Sequence, residues 1–258
     1  MTSSGTGTET ETTVVKLGGS VVTDKDRDET LDADSLETAA DAVATALETG
    51  DVDDLVIVHG GGSFGHVHAS EHGVSTTDGT HDVGAVHAIH GAMKTLDGFV
   101  LQRLLERDVP AVPVHPFSVA SRDAEGRLDL PTAQVETMLA EGFVPVLHGD
   151  VVSHRGEGAT IVSGDELVVE LATALEAERV GLCSTVPGVL DDAEDVIERI
   201  EDYADVEAVL GASESTDVTG GMATKVQALL ALESRASIFG LESLPAFFHG
   251  EGAGTTIE

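Results

Sequence analysis

The chain has 258 residues, enough for one large α/β domain with a substantial core, and its 41% apolar content excludes a disordered polyelectrolyte. Its 13 basic residues against 47 acidic ones give a formal charge of −34, so binding to nucleic acid or to an anionic membrane surface is not expected. The acid excess runs along the whole chain, which fits a protein adapted to concentrated salt, where the screening length falls to about 3 Å at 1 M.

Residues 1–12 are rich in Ser, Thr, Gly and Glu with no apolar stretch, and read as a frayed tail rather than a signal peptide or anchor. Residues 13–17 form a short apolar run ending in Gly18-Gly19-Ser20. Residues 55–58 form a second, ending in His59-Gly60-Gly61-Gly62; both read as buried strands that run into glycine loops. Between them, Asp34-Ser35-Leu36 opens a helix that reaches about Thr49 and stops at Gly50. Residues 66–82 are rich in small polar side chains and carry no clear period. From 83 to 106, Val86, Ile89, Met93, Leu96, Val100 and Leu104 recur at three- and four-residue spacing, which predicts a long helix with one apolar face. Further strands are expected at 111–114, 144–147, 161–162, 180–182 and 237–239. Helices are expected near 134–140, 166–176 and 222–234, with a hairpin turn at 156–159. This alternation predicts a mainly parallel sheet with helices on both faces. No repeat or long linker divides residues 13–258, which read as a single domain with a soft lobe boundary near 155/156. The lone Cys183 excludes an internal disulfide and fits a reducing, cytoplasmic setting.

Glycine loops at strand ends let backbone N–H groups approach a phosphate closely. Taken alone, Gly18-Gly19-Ser20 and Gly60-Gly61-Gly62-Ser63-Phe64-Gly65 are each as consistent with a tight turn, and neither matches a P-loop or carries the ribose-binding acid of a dinucleotide fold. Lysine usage adds independent information. Only Lys16, Lys25, Lys94 and Lys225 occur, and all but Lys94 lie beside glycine or turn segments. Where surface lysine is so sparse, these three read as partners of phosphate oxygens. Lys94 reads as a solvated helix residue.

Val15-Lys16-Leu17-Gly18-Gly19-Ser20, His59-Gly60-Gly61-Gly62, Ser163-Gly164-Asp165-Glu166 and Thr219-Gly220-Gly221-Met222-x-x-Lys225 occur in an order and spacing that resemble the amino acid kinases. Gly62-Ser63-Phe64-Gly65-His66 further resembles the acceptor loop of isopentenyl phosphate kinases, as do Thr23-Asp24-Lys25 and His148-Gly149-Asp150, and the acidic composition suggests a haloarchaeal type. The resemblance implies an α/β fold that is a three-layer αβα sandwich around an open, mainly parallel sheet. Residues 13–155 would hold the phosphoryl acceptor and residues 156–258 would hold ATP. The implied reaction is ATP-dependent phosphorylation of isopentenyl phosphate in isoprenoid biosynthesis by the alternative mevalonate route, by a cytoplasmic homodimer.

Site roles follow from the same resemblance. Lys16 would bridge the transferring group, and Leu17, Gly18, Gly19, Ser20, Gly62, Gly188, Gly220, Gly221 and Lys225 would surround the nucleotide. Lys25 and His66 would hold the acceptor phosphate with Gly61, Gly62, Gly65 and Gly149, while Val86, Ile89 and Met93 would line the hydrocarbon pocket. Asp165 would orient the lysines, and Mg²⁺ would arrive on the ATP phosphates without a protein metal site. His68, His72, His81, His87 and His90 show no compact ligand spacing. Relatives commonly carry Asp-Val-Asp-Gly-Val where this chain reads Cys183-Ser184-Thr185-Val186-Pro187-Gly188-Val189, so Ser184 or Thr185 would replace the missing acids. Two rival readings are a kinase of another phosphate or phosphonate, such as a fosfomycin-type antibiotic kinase, and a nucleotide-binding regulator on the same fold.

Overall fold

A computed structural model describes residues 11–212 and 221–258. Strands β1 (Thr12–Leu17), β2 (Asp54–His59), β3 (Ala111–Val114) and β6 (Val144–His148) lie in one eight-stranded sheet with β9 (Arg179–Ser184), β10 (Arg199–Ile200), β11 (Arg235–Gly240) and β12 (Thr255–Ile257). Strands β4 (Ser121–Arg122), β5 (Leu128–Asp129), β7 (Asp150–His154) and β8 (Gly158–Val162) form a separate four-stranded sheet. The large sheet runs β10-β12-β11-β9-β1-β2-β6-β3 and is parallel from β11 to β3; only the β11–β12 pairing is antiparallel.

The helices are α1 (Gly19–Val22), α2 (Ala33–Thr49), α3 (Gly62–Glu71), α4 (Val83–Leu105), α5 (Pro116–Val119), α6 (Ala133–Ala140), α7 (Gly164–Ala174), α8 (Glu207–Ala212), α9 (Met222–Leu230) and α10 (Leu244–Phe248). Alternate strand residues sort into two cores. Val15, Leu17, Ile57 and Val146 pack with α2, α4 and α10, whereas Val14, Val56, Val58 and Leu147 pack with α6, α7 and α9. Sheet and helices therefore make three layers, and both sheet faces are dry, as parallel strands require.

Local chemistry sets the helix limits. Asp32 caps α2 by accepting from the Ser35 N–H, and Gly50, at φ +74°, closes it in the left-handed conformation. Asp82 caps α4 through the Gly84 N–H. Ser163 caps α7 through the Glu166 N–H, so α7 starts at Gly164, two residues before the sequence expectation. Helix α9 ends at Leu230, short of 234.

The larger departure is α3: the 60–65 glycine stretch and the start of the polar segment are not loop but helix from Gly62. It carries two glycines and almost no amphipathic period. What holds it is tertiary: Phe64 and Ala69 are buried, and Gly65 lets it lie against Met93 of α4. The 155/156 boundary falls in the turn between β7 and β8, whose strands pair over five registers, and β1 hydrogen-bonds both β2 and β9 across the sheet centre. No helix among the described residues is long and apolar enough to cross a membrane.

Candidate active site

Strand order reverses at β1, which has β2 on one side and β9 on the other. Beyond the carboxyl ends of these strands, where open α/β sheets leave a crevice, lies a cleft of about 600 Å³. Four helices, α1, α3, α7 and α9, begin at its edge, and their first-turn N–H groups have no carbonyl of their own helix to bond.

The two glycine loops meet backbone to backbone. A side chain at Gly19 would stand 2.3 Å from the Gly62 nitrogen, and one at Gly60 would stand 2.5 Å from the Gly19 nitrogen. Thr23 stitches them together, its Oγ1 donating to the Gly19 carbonyl at 2.8 Å and accepting from the Ser63 N–H at 3.0 Å. Thr23 belongs to the Thr23-Asp24-Lys25 motif, whose composition alone signals no such role.

Lys16 enters the cleft from β1 and is almost wholly shielded from solvent. Its Nζ lies 2.6 Å from Asp165 Oδ1, and Lys225 Nζ lies 3.8 Å from Asp165 Oδ2. Asp165 Oδ2 is buried without a hydrogen bond among the described residues. One carboxylate thus sits between two ammonium groups. Lys25, exposed on the first loop, and His66, half-buried on α3, line the same cleft, whereas Lys94 points to solvent from α4. In a chain of charge −34, three of the four lysines converge on one crevice.

Gly18, Gly19, Ser20, Gly61, Gly65, Gly149, Ile89, Met93 and Gly221 also line the cleft. Several expected roles need correction. The Gly149 N–H donates to the His59 carbonyl at 3.1 Å as part of the β2–β6 contact, so it is not a donor to an acceptor phosphate. The Gly18 N–H donates to the Cys183 carbonyl, and the Leu17 side chain belongs to the core, so both support the loop without touching a nucleotide through those groups. Gly62, at φ +46°, faces Thr23 rather than the cleft wall. Gly188 is a packing glycine, since a Cβ there would stand 2.7 Å from both Thr255 Oγ1 and Val196. Val86 opens onto a second hollow, of about 430 Å³, with Val83, His87, His90 and Phe117. Thr219 and Gly220 lie outside the described residues.

Residues missed from the sequence include Ile161, Leu182 and Ile238, which join Asp150, legible only as part of the His148-Gly149-Asp150 motif, and Ser184, Thr185 and Val186 in the wall. Only their strand-end positions could have signalled them. Cys183 is buried there, and burial pushes its thiol up to about 12. Beneath the ends of β2 and β6 His148 is fully buried; desolvation, reinforced by nearby His59, pushes it down to about 4, so it is neutral. As for Mg²⁺, the lining carboxylates among the described residues are Asp150, already bonded to His90 and the Val151 N–H, and Asp165, whose Oδ2 accepts no hydrogen bond among them. That set fits an ion carried mainly by phosphate oxygens and water.

The amino acid kinase family description matches residues 11–238. The isopentenyl phosphate kinase of Haloferax volcanii is 63% identical over 244 residues, covering 95% of this chain and 97% of that protein. That of Methanocaldococcus jannaschii is 33% identical over 238 residues, covering 88% and 90%. Among solved structures, one of isopentenyl phosphate kinase superposes with a TM-score of 0.81 at 27% identity, covering 96% of this chain and 100% of the other. An N-acetylglutamate synthase from Neisseria gonorrhoeae, at TM-score 0.68 and 16% identity over 96% of this chain and 61% of its own, shares the fold alone. With its three layers, its paired glycine loops and its Lys16–Asp165–Lys225 group, the chain belongs to the amino acid kinase family.

Proposed function

We infer that the protein catalyses ATP + isopentenyl phosphate → ADP + isopentenyl diphosphate, a phosphoryl transfer that serves isoprenoid biosynthesis. The observation that carries the reading is His66, placed on the first turns of α3 in the same cleft as Lys16, Lys25 and Lys225, beside an apolar wall of Ile89 and Met93. A carboxylate acceptor needs no such group. An acceptor that is already a phosphate brings charge toward the γ-phosphate of ATP, and an imidazole with a neighbouring ammonium orients it and offsets that repulsion. The likeness to the Haloferax volcanii enzyme supports the same substrate.

An acceptor phosphate oxygen attacks the γ-phosphorus in line and ADP leaves, with no phosphoenzyme. Lys16 bridges the transferring group while Asp165 fixes its ammonium. Lys225 and the N–H of Gly221 cradle the distal phosphates, and the first-turn N–H groups of Gly19 and Ser20 donate to phosphate oxygens. Gly61, at the N-cap of α3, presents its backbone toward the acceptor side, and Gly65 leaves room beside His66. Asp165 is no general base, because the acceptor is deprotonated near neutral pH. Mg²⁺ held on the nucleotide oxygens supplies further charge neutralisation. Residues 13–155 contribute the acceptor side and the later residues most of the nucleotide side.

The acidic composition supports a salt-adapted protein, and the absence of disulfide chemistry supports a cytoplasmic one. Homodimerisation is carried over from the family resemblance and is measured by light scattering. Phosphorus NMR of the reaction in molar KCl tests the chemistry: coupled diphosphate doublets should replace the monophosphate singlet as ADP forms. A covalent phosphohistidine or phosphoaspartate trapped at turnover would contradict direct transfer.

A further inference from the structure

Several titratable groups that the transfer reaction leaves unused gather directly beneath the acceptor end, where β2, β3 and β6 end against α4. Asp97 is 1% exposed, His59 and His148 are fully buried, and the His115 side chain is 29% exposed. His148 Nδ1 lies 2.9 Å from the Gly149 carbonyl and His59 Nδ1 lies 3.1 Å from the Gly60 carbonyl. A carbonyl can only accept, so each ring carries a proton on Nδ1, and in the neutral imidazole the lone pair of Nε2 turns inward. His148 Nε2 meets His115 Nδ1 at 2.9 Å, and His59 Nε2 faces Asp97 Oδ1 at 3.4 Å.

Without a cation, a proton on His115 Nδ1 serves the His148 Nε2 lone pair, and the Asp97 carboxylate is left with distant ring nitrogens as partners. The ring nitrogens nearest Asp97 stand 3.4 Å and 3.9 Å from its oxygens, too far for a strong hydrogen bond. A buried carboxylate held only at such distances is costly, and a cation in place of the His115 proton engages Asp97, His115 and His148 together.

We propose that Asp97, His115 and His148 bind one divalent transition-metal ion of the Zn²⁺ class. Their ligand atoms all lie within 4.8 Å of one another, the one such set among the described residues. Separations of 2.9 Å and 3.9 Å bracket the value of about 3.3 Å that two ligands subtend at a tetrahedral ion. Two imidazoles and a carboxylate suit Zn²⁺ or Co²⁺ better than Mg²⁺ or Ca²⁺. The Nδ1–H of His148 on a backbone carbonyl is the outer contact that fixes a ligating histidine. Half-exposed His115 gives the ion a way in. Bound there, the ion ties α4 to the strand ends that carry Gly60, Gly61 and Gly149, and so stiffens the acceptor side of the cleft.

The test uses the full chain, washed in molar KCl with a weak chelator to clear ions from its acidic surface. Elemental analysis should find about one transition-metal ion per chain, and metal-stripped protein given Co²⁺ should develop the visible absorption of a tetrahedral site. His115→Gln and Asp97→Asn should each weaken Zn²⁺ binding by at least about 100-fold. A wild-type protein that holds no stoichiometric ion and gives no such Co²⁺ spectrum overturns the proposal, as does equal binding by wild type and both variants. Should a variant fail to fold, the wild-type stoichiometry and spectrum decide.

Discussion

Lys16 reaches the cleft from the central strand, beside the fully buried Val14, and meets Asp165 where neither is well hydrated. Replacing it with Met keeps the volume and removes the charge. ATP should still bind, because the loop N–H groups and Lys225 remain, but kcat should fall by about 10²–10³-fold. Unchanged turnover in a folded Lys16→Met variant would remove Lys16 from the mechanism. His66→Ala should lower kcat by roughly 10²-fold while the affinity for ATP changes little, and calorimetry with ATP separates the two effects. Cys183 makes the opposite kind of prediction. With its thiol pushed up to about 12, the native protein at pH 8 should be alkylated at least about 10³-fold more slowly than the denatured chain. Stability from the buried neutral thiol is complete below the unfolded value of about 8.5, and is lost as pH rises toward the folded value. The three lysines that line the cleft were legible in the sequence because a chain with four lysines reveals those it keeps. Asp97, His115 and His148 were not, because they come together only when α4 and two strand ends meet.

At the scale of elements, space around each glycine separates two cases that look alike in sequence. A methyl at Gly19 meets the Gly62 backbone at 2.3 Å, and no flexible side chain can yield there. Gly19→Ala should therefore destabilise the fold by about 1–3 kcal/mol and spoil the phosphate loop. Gly98, exposed within α4, has open space around its Cβ position, and Gly98→Ala should stabilise by about 0.5–1 kcal/mol. Urea titration in molar KCl measures both; equal effects would refute the proposed loop contact. The same physics explains what could be read. Strands β1, β2 and β6 were legible because strands buried on both faces are continuous apolar runs. Helix α3 was hidden because its Gly-Ser-Phe-Gly start has the composition of a turn and its stability comes from α4. Strands β4 and β5, two residues each, carry too little pattern to be seen.

For the whole molecule, charge dominates. Ion pairs such as those of Arg107 with Glu37 and Asp41 neutralise only a fraction of the acids, so repulsion between the remainder must be screened. The melting temperature should climb steeply between 0.2 M and 2 M KCl, by roughly 2–4 °C for each kcal/mol of repulsion relieved. A flat profile would contradict salt adaptation. The alternation of strands and helices specified the layers, while the glycine motifs and their resemblance to a family located the crevice and named its chemistry.

ADP release measures acceptor choice directly. The purified protein in molar KCl with Mg²⁺-ATP would receive isopentenyl phosphate, fosfomycin, carbamate, glutamate and UMP in separate reactions. Turnover should be strong with isopentenyl phosphate and stay at background with the others. Turnover confined to another acceptor would contradict the role given to His66, and binding of ATP without turnover of any acceptor would contradict the assignment as a kinase.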